Sequence, residues 1–118
     1  MGEQTKGETG GMEPAVAVRL ADLVDYAPGA VVSRTLAKGP AGTLTVFAFD
    51  EGQELSEHSA PFDAWVDVLD GTVLLTIGGK PVTAKAGETV RMPAVVPHAV
   101  RATTRFKMLL VMIKQAAG

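Results

Sequence analysis

Residues 52–71 read Gly52-Gln53-Glu54-Leu55-Ser56-Glu57-His58-Ser59-Ala60-Pro61-Phe62-Asp63-Ala64-Trp65-Val66-Asp67-Val68-Leu69-Asp70-Gly71, and residues 87–98 read Gly87-Glu88-Thr89-Val90-Arg91-Met92-Pro93-Ala94-Val95-Val96-Pro97-His98. Each stretch opens on a glycine, holds one histidine and contains a strand-forming run, 64–69 in the first and 88–92 in the second. His58 and His98 are the only histidines in the chain. Between the stretches lie two more strand-sized units, 72–77 and 81–85, set off by Gly71, Gly78-Gly79 and Gly87.

The same rhythm continues outward. Downstream, 98–103 and 106–114 read as strands. Upstream, so do 30–36 and 43–49, parted by the turn cluster Lys38-Gly39-Pro40-Ala41-Gly42. Asp50-Glu51-Gly52 stops the second of these, and Pro28-Gly29 breaks the chain before the first. Residues 15–27 read as an extended lead-in with a helical turn at Leu20–Val24. Short strands with turn residues at regular intervals predict an all-β sandwich or barrel, and no long segment carries a 3.6-residue period. At 118 residues and 47% hydrophobic content the chain suits a single domain with one core. The expected division is a disordered tail over 1–13, rich in glycine and charge, and one domain over 14–118.

The run Phe106–Ile113 has two apolar faces. Phe106, Met108, Leu110 and Met112 form one; Leu109, Val111 and Ile113, with Lys107, form the other. Both must be covered. A barrel interior covers the first. A second copy of the chain or a folded-over N-terminal segment would cover the second, and a homodimer is the expectation. Trp65 shares the outward parity.

Composition excludes several classes. A net charge of −2 and the lack of a basic tract argue against a nucleic-acid surface or a membrane-surface patch. The longest apolar run, Met108–Ile113, is too short to cross a bilayer as a helix. Without cysteine there are no disulfides, thiolate metal sites or cysteine nucleophile. That fits a reducing compartment, and a cytoplasmic protein is the expectation. The first residues lack the apolar core of a secretory signal. No phosphate loop, dinucleotide fingerprint or serine elbow is present.

The first stretch resembles the first motif of the cupins, with Gly52, His58 and Gly71 in place. The second resembles their second motif, with Gly87, Pro93 and His98 in place; Val95 stands where that motif has glycine and Ala102 where it has asparagine. The likeness extends over roughly residues 29–114. It implies a small jelly-roll barrel, the double-stranded β-helix of RmlC-like proteins, with a mouth for a ligand. In metal-binding cupins the ligands are two histidines and a glutamate from the first motif and a histidine from the second. Carried over position by position, His58 and His98 match, whereas the other two positions are Ala60 and Ala64.

Two readings of the site follow from that departure. In the first, the two alanines leave a roomier, more apolar interior around two imidazoles, and His58, His98, Ala60, Ala64 and Met92 line a pocket for a small molecule. In the second, a metal-dependent oxygenase or isomerase uses His58 and His98 with water or with Asp63. A strand bulge near Pro61 would have to turn Asp63 inward, giving a two-His-one-carboxylate set. The divalent metals to consider are Zn, Ni, Fe, Mn and Cu. Met92, Met108 and Met112 offer thioethers, more naturally as core packing. The histidines could also act alone as acid and base, although the sugar epimerases of this fold pair histidine with a tyrosine and Tyr26 lies outside both motifs. Gln53 and Ser59 flank the first motif and could hydrogen-bond. Glu51, Glu54 and Glu57 read as a solvated loop.

Overall fold

The structure, a computed structural model, describes residues 11–114. The expected tail lies outside the described residues up to residue 10. After a short 3-10 helix at Leu20–Leu23 come nine strands: β1 Val31–Gly39, β2 Gly42–Phe49, β3 Glu54–His58, β4 Phe62–Asp70, β5 Thr72–Ile77, β6 Lys80–Lys85, β7 Thr89–Met92, β8 His98–Ala102 and β9 Phe106–Lys114. They form a five-stranded sheet, β1-β2-β9-β4-β7, and a four-stranded sheet, β3-β8-β5-β6. All pairings are antiparallel. The chain crosses between sheets repeatedly, as a jelly roll does.

Sequence alternation explains the packing. In β4 the residues Ala64, Val66 and Val68 are buried while Trp65, Asp67 and Leu69 stay partly exposed. The inward residues of one sheet meet those of the other in a single core: Phe49, Ala64, Val66, Val68, Met92, Phe106 and Met108 against Val73, Leu75, Ala84, Val100 and Ala102. Gly78 and Gly79, both at positive φ, close the β5–β6 hairpin between the paired residues Ile77 and Lys80.

The outer face of the five-stranded sheet is covered in part by the chain's own lead-in. Val24 packs with Val46 and Ala48, and Leu20, Tyr26, Val32, Leu36, Leu69 and Leu109 surround them. Polar contacts fasten this segment. Lys107 Nζ donates to Ala21 O at 2.6 Å, Arg34 donates to the carbonyls of Leu23 and Gly11, and Tyr26 Oη donates to Asp70 at 2.5 Å. Burial and the Asp70 carboxylate push the Tyr26 hydroxyl well above its ordinary pKa. Tyr26 thus sits on the outside of the sheet. Further along the same face Leu44 and Ile113 remain exposed.

Two elements differ from the sequence expectation. β1 runs on through Lys38 and Gly39, so the turn narrows to Pro40-Ala41. β3 was not expected at all. It is an edge strand whose residues, Leu55 apart, are exposed, so its sequence lacks the alternating apolar pattern that marks the others. Glu54 and Glu57 belong to this strand rather than to a loop, Glu54 in an exposed pair with Arg101 at 3.8 Å. Among the described residues no helix is long and apolar enough to cross a membrane.

Candidate functional site

The pairing register sorts the residues by the end of the barrel they occupy. At one end Phe49 pairs with Phe106, both fully buried, their rings stacked with centroids 4.7 Å apart. Gln53 also lies at this end, where its backbone bonds to Ala102 and Asp50, so it does not flank the histidines. The other end collects His58, which pairs with His98, and Ile77, which pairs with His98 from the opposite side. On the facing sheet Ala64 pairs with Met92 and Met112. Ala60 adjoins them, its carbonyl accepting from Val95 N–H at 2.8 Å. All five expected pocket residues, His58, His98, Ala60, Ala64 and Met92, therefore fall at one end.

The two imidazoles touch edge to face, with ring centroids 4.5 Å apart. A bulge makes this possible. Leu55 pairs with Val100 and packs on the core, so in a regular strand His58, three residues later, would face outward. The register shift between Leu55 and His58 restores it to the inner face. The odd spacing from Leu55 to His58 was the sequence signal for this. His98 is buried at 8% exposure, while His58 stands exposed at the rim.

Each ring is oriented by a backbone carbonyl two residues earlier. His58 Nδ1 lies 2.8 Å from Ser56 O, and His98 Nδ1 lies 3.3 Å from Val96 O. A carbonyl oxygen only accepts, so Nδ1 carries the proton and Nε2 of each neutral ring keeps its lone pair. Burial, reinforced by the neighbouring His58, holds His98 below its ordinary pKa. A group whose folded pKa lies below its unfolded value of 6.5 stabilises the fold fully above that pH, and loses this contribution as pH falls through 6.5 toward the folded value. Urea midpoints are expected to fall between pH 7.5 and pH 5.5, with the fall reduced in His98→Gln; an unchanged slope in that variant would assign the effect elsewhere.

Asp63 is not brought to the histidines. β4 pairs with β9 without a break from Phe62 to Val68, so no bulge turns Asp63 inward, and its parity is opposite to that of Ala64. Its carboxylate is taken up by Ala94 N–H at 2.9 Å and by Arg91 at 3.3 Å. These contacts tie the β7–β8 loop to β4, on the side of the strand away from the histidines. Met108 is core at 1% exposure. Among the described residues no group of three or more His, Cys, Asp or Glu side chains could hold a metal ion. The donor set at the mouth does not fit the four-ligand metal that the resemblance implies.

Val95 stands out beside the histidines. It is 67% exposed and its φ is +60°. A β-branched residue in this region is a steric outlier, costing about 1–2 kcal/mol. The hydrogen bond to Ala60 O holds it there. Val95→Gly relieves the clash but adds unfolded-chain entropy of about 0.5–1 kcal/mol. A net gain of about 0.5–1 kcal/mol in denaturant unfolding is expected; a loss would mean the valine side chain supports the loop.

Comparison with known proteins agrees with this geometry. Among curated proteins none matches the chain. A conserved protein of unknown function from Streptococcus pyogenes is similar in structure, with TM-score 0.87 and 37% identity over 93% of this chain and 96% of that one. A cupin 2 conserved barrel domain protein from Leptotrichia buccalis is 43% identical over 80% of this chain, which spans 46% of that longer protein, with TM-score 0.78. A predicted oxalate decarboxylase from Thermotoga maritima shares the fold at 19% identity, covering 72% of this chain and 81% of that one, with TM-score 0.68. The cupin domain model matches residues 45–114, from β2 through β9. With both motifs meeting at one mouth and that model spanning them, the chain belongs to the cupin family.

Proposed function

We propose that this cupin binds a small molecule at the open end of its barrel, against His58 and His98. The carrying observation is the imidazole pair itself: two rings in contact, each oriented by a backbone carbonyl, beside apolar Met92 and the methyl groups of Ala60 and Ala64. Mostly apolar walls with a few placed polar groups are the usual make-up of a ligand site. Native mass spectrometry of untagged protein is expected to show a co-purifying molecule, or a mass shift with members of a metabolite panel, that His58→Leu reduces. A barrel that holds nothing in either experiment defeats the proposal. Elemental analysis of the same sample decides against the metal-dependent oxygenase or isomerase if metal stays far below one equivalent; near-stoichiometric metal lost in His98→Ala would favour it.

The reading includes a homodimer through the outer face of the five-stranded sheet. The lead-in covers Val46, Ala48 and Leu109 but leaves Leu44 and Ile113 exposed. Sedimentation equilibrium is expected to give twice the chain mass, and Ile113→Lys a single chain; a monomer at every concentration rules it out.

A further inference from the structure

Resting on the homodimer proposed above, we infer that residues 12–19 of each copy form an arm seated on the partner copy's five-stranded sheet, with Val16 over Ile113 and Val18 over Val111. The arm is an excursion of the lead-in. At its start Gly11 O accepts from Arg34 at 3.2 Å, and Gly11 lies so close to β1 that a Cβ on it would come 3.0 Å from Leu36 O. At its end Leu20 and Val24 return to the outer sheet face, and Leu23 O accepts from the same Arg34. Between these anchors every residue from 12 to 19 is exposed. Among the described residues none from 12 to 18 makes a backbone hydrogen bond. Pro14 and Ala15, the latter at φ +63°, turn the chain, and the β-branched Val16 and Val18 that follow favour an extended backbone.

Apart from Val95, the strongly exposed large hydrophobics among the described residues are Met12, Val16 and Val18 on the arm and Leu44 and Ile113 on the sheet face. The two sets are rooted side by side, since Arg34 pairs with Val46, two residues from Leu44 on the same face. Yet neither covers the other within one chain. A second copy brings them together. The spacing fits: in an extended segment Val16 and Val18 point to one side about 7 Å apart, the same interval as Val111 and Ile113 on β9. Leu44 and Trp65, which pair with Val111 from either side, flank the seat. Charge sets the direction. Parallel to β9, the arm would bring Arg19 up to Lys114. Antiparallel, it carries Arg19 toward Asp67, which pairs with Leu109 and has no ion pair among the described residues.

The chain has no cysteine, so introduced thiols report on this contact alone. Oxidised Val16→Cys/Ile113→Cys is expected to run mainly as a covalent dimer on a non-reducing gel. Val16→Cys/Thr83→Cys is the control, because Thr83 lies exposed on the other sheet, and is expected to stay a single chain. Thiols lost without dimer formation place the arm on its own sheet and overturn the proposal; so does no cross-link, or an equal yield from the control. Sedimentation of Val16→Ser/Val18→Ser is the second measurement. Both valines are exposed in the single chain, so folding is spared, and the dimer Kd is expected to rise about a hundredfold. Association of parental strength in that variant overturns the arm contact and leaves the homodimer standing. A parent that sediments as a single chain overturns both.

Discussion

Replacing Gly71 with alanine is expected to leave little folded protein. Gly71 turns the chain between β4 and β5 at φ +78°. A Cβ there would lie 1.9 Å from Arg105 O and 2.9 Å from Phe106 Cα. Those atoms are backbone at the start of β9, and Phe106 is fully buried against Phe49. The turn cannot retreat freely, because Gly71 O accepts from Ala86 N–H at 3.0 Å. Relief requires unseating the Phe106 ring, a loss comparable to truncating a buried phenylalanine, about 3–5 kcal/mol. Left-handed strain adds about 1–2 kcal/mol. Together these approach the whole stability of a small domain, about 5–15 kcal/mol. Gly29→Ala is the control: its φ is +66° but the space around it is open, so only strain is incurred. Thermal melts by circular dichroism compare the two, and a Gly71→Ala protein melting within a few degrees of Gly29→Ala would refute the steric account.

The second large effect concerns the two alanines at the mouth. The double variant Ala60→His/Ala64→Glu is expected to bind nickel or zinc far more tightly than the parent. Ala64 is 3% exposed, so a glutamate there without metal buries a carboxyl with only the crowded imidazoles to offset its desolvation, and the metal-free variant should melt below the parent. With metal present, four donors replace two. Binding to the native state alone then stabilises by about 4 kcal/mol at a thousandfold excess over Kd, a rise of about ten degrees or more for a domain of this size. Nickel or zinc titration followed by differential scanning calorimetry reads this directly. A parent melting temperature that climbs as steeply with the same metal would show that Ala60 and Ala64 are not what sets the donor count.

The fold was legible because its strands alternate and its turns carry glycine and proline. β4 and β9 show this best: Val66 and Val68 lie inside, Asp67 outside, and Met108 and Leu110 oppose Lys107 and Leu109, as the pattern requires. β3 stayed hidden because an edge strand buries little and so needs no apolar stripe. The histidine pair was legible as two motif positions, but its geometry was not. That depends on a one-residue bulge, and with it on the carbonyls of Ser56 and Val96, whose chemistry is the same in every residue type. Asp63 misled for a related reason. Sequence places it beside the vacant glutamate position, whereas unbroken pairing of β4 decides which way it points.

The stacked Phe49 and Phe106 rings plug the barrel opposite the histidines. On the function proposed above, a small molecule would have to arrive and depart on the histidine side, over the rim that carries the exposed His58 and Val95, because the opposite end is closed.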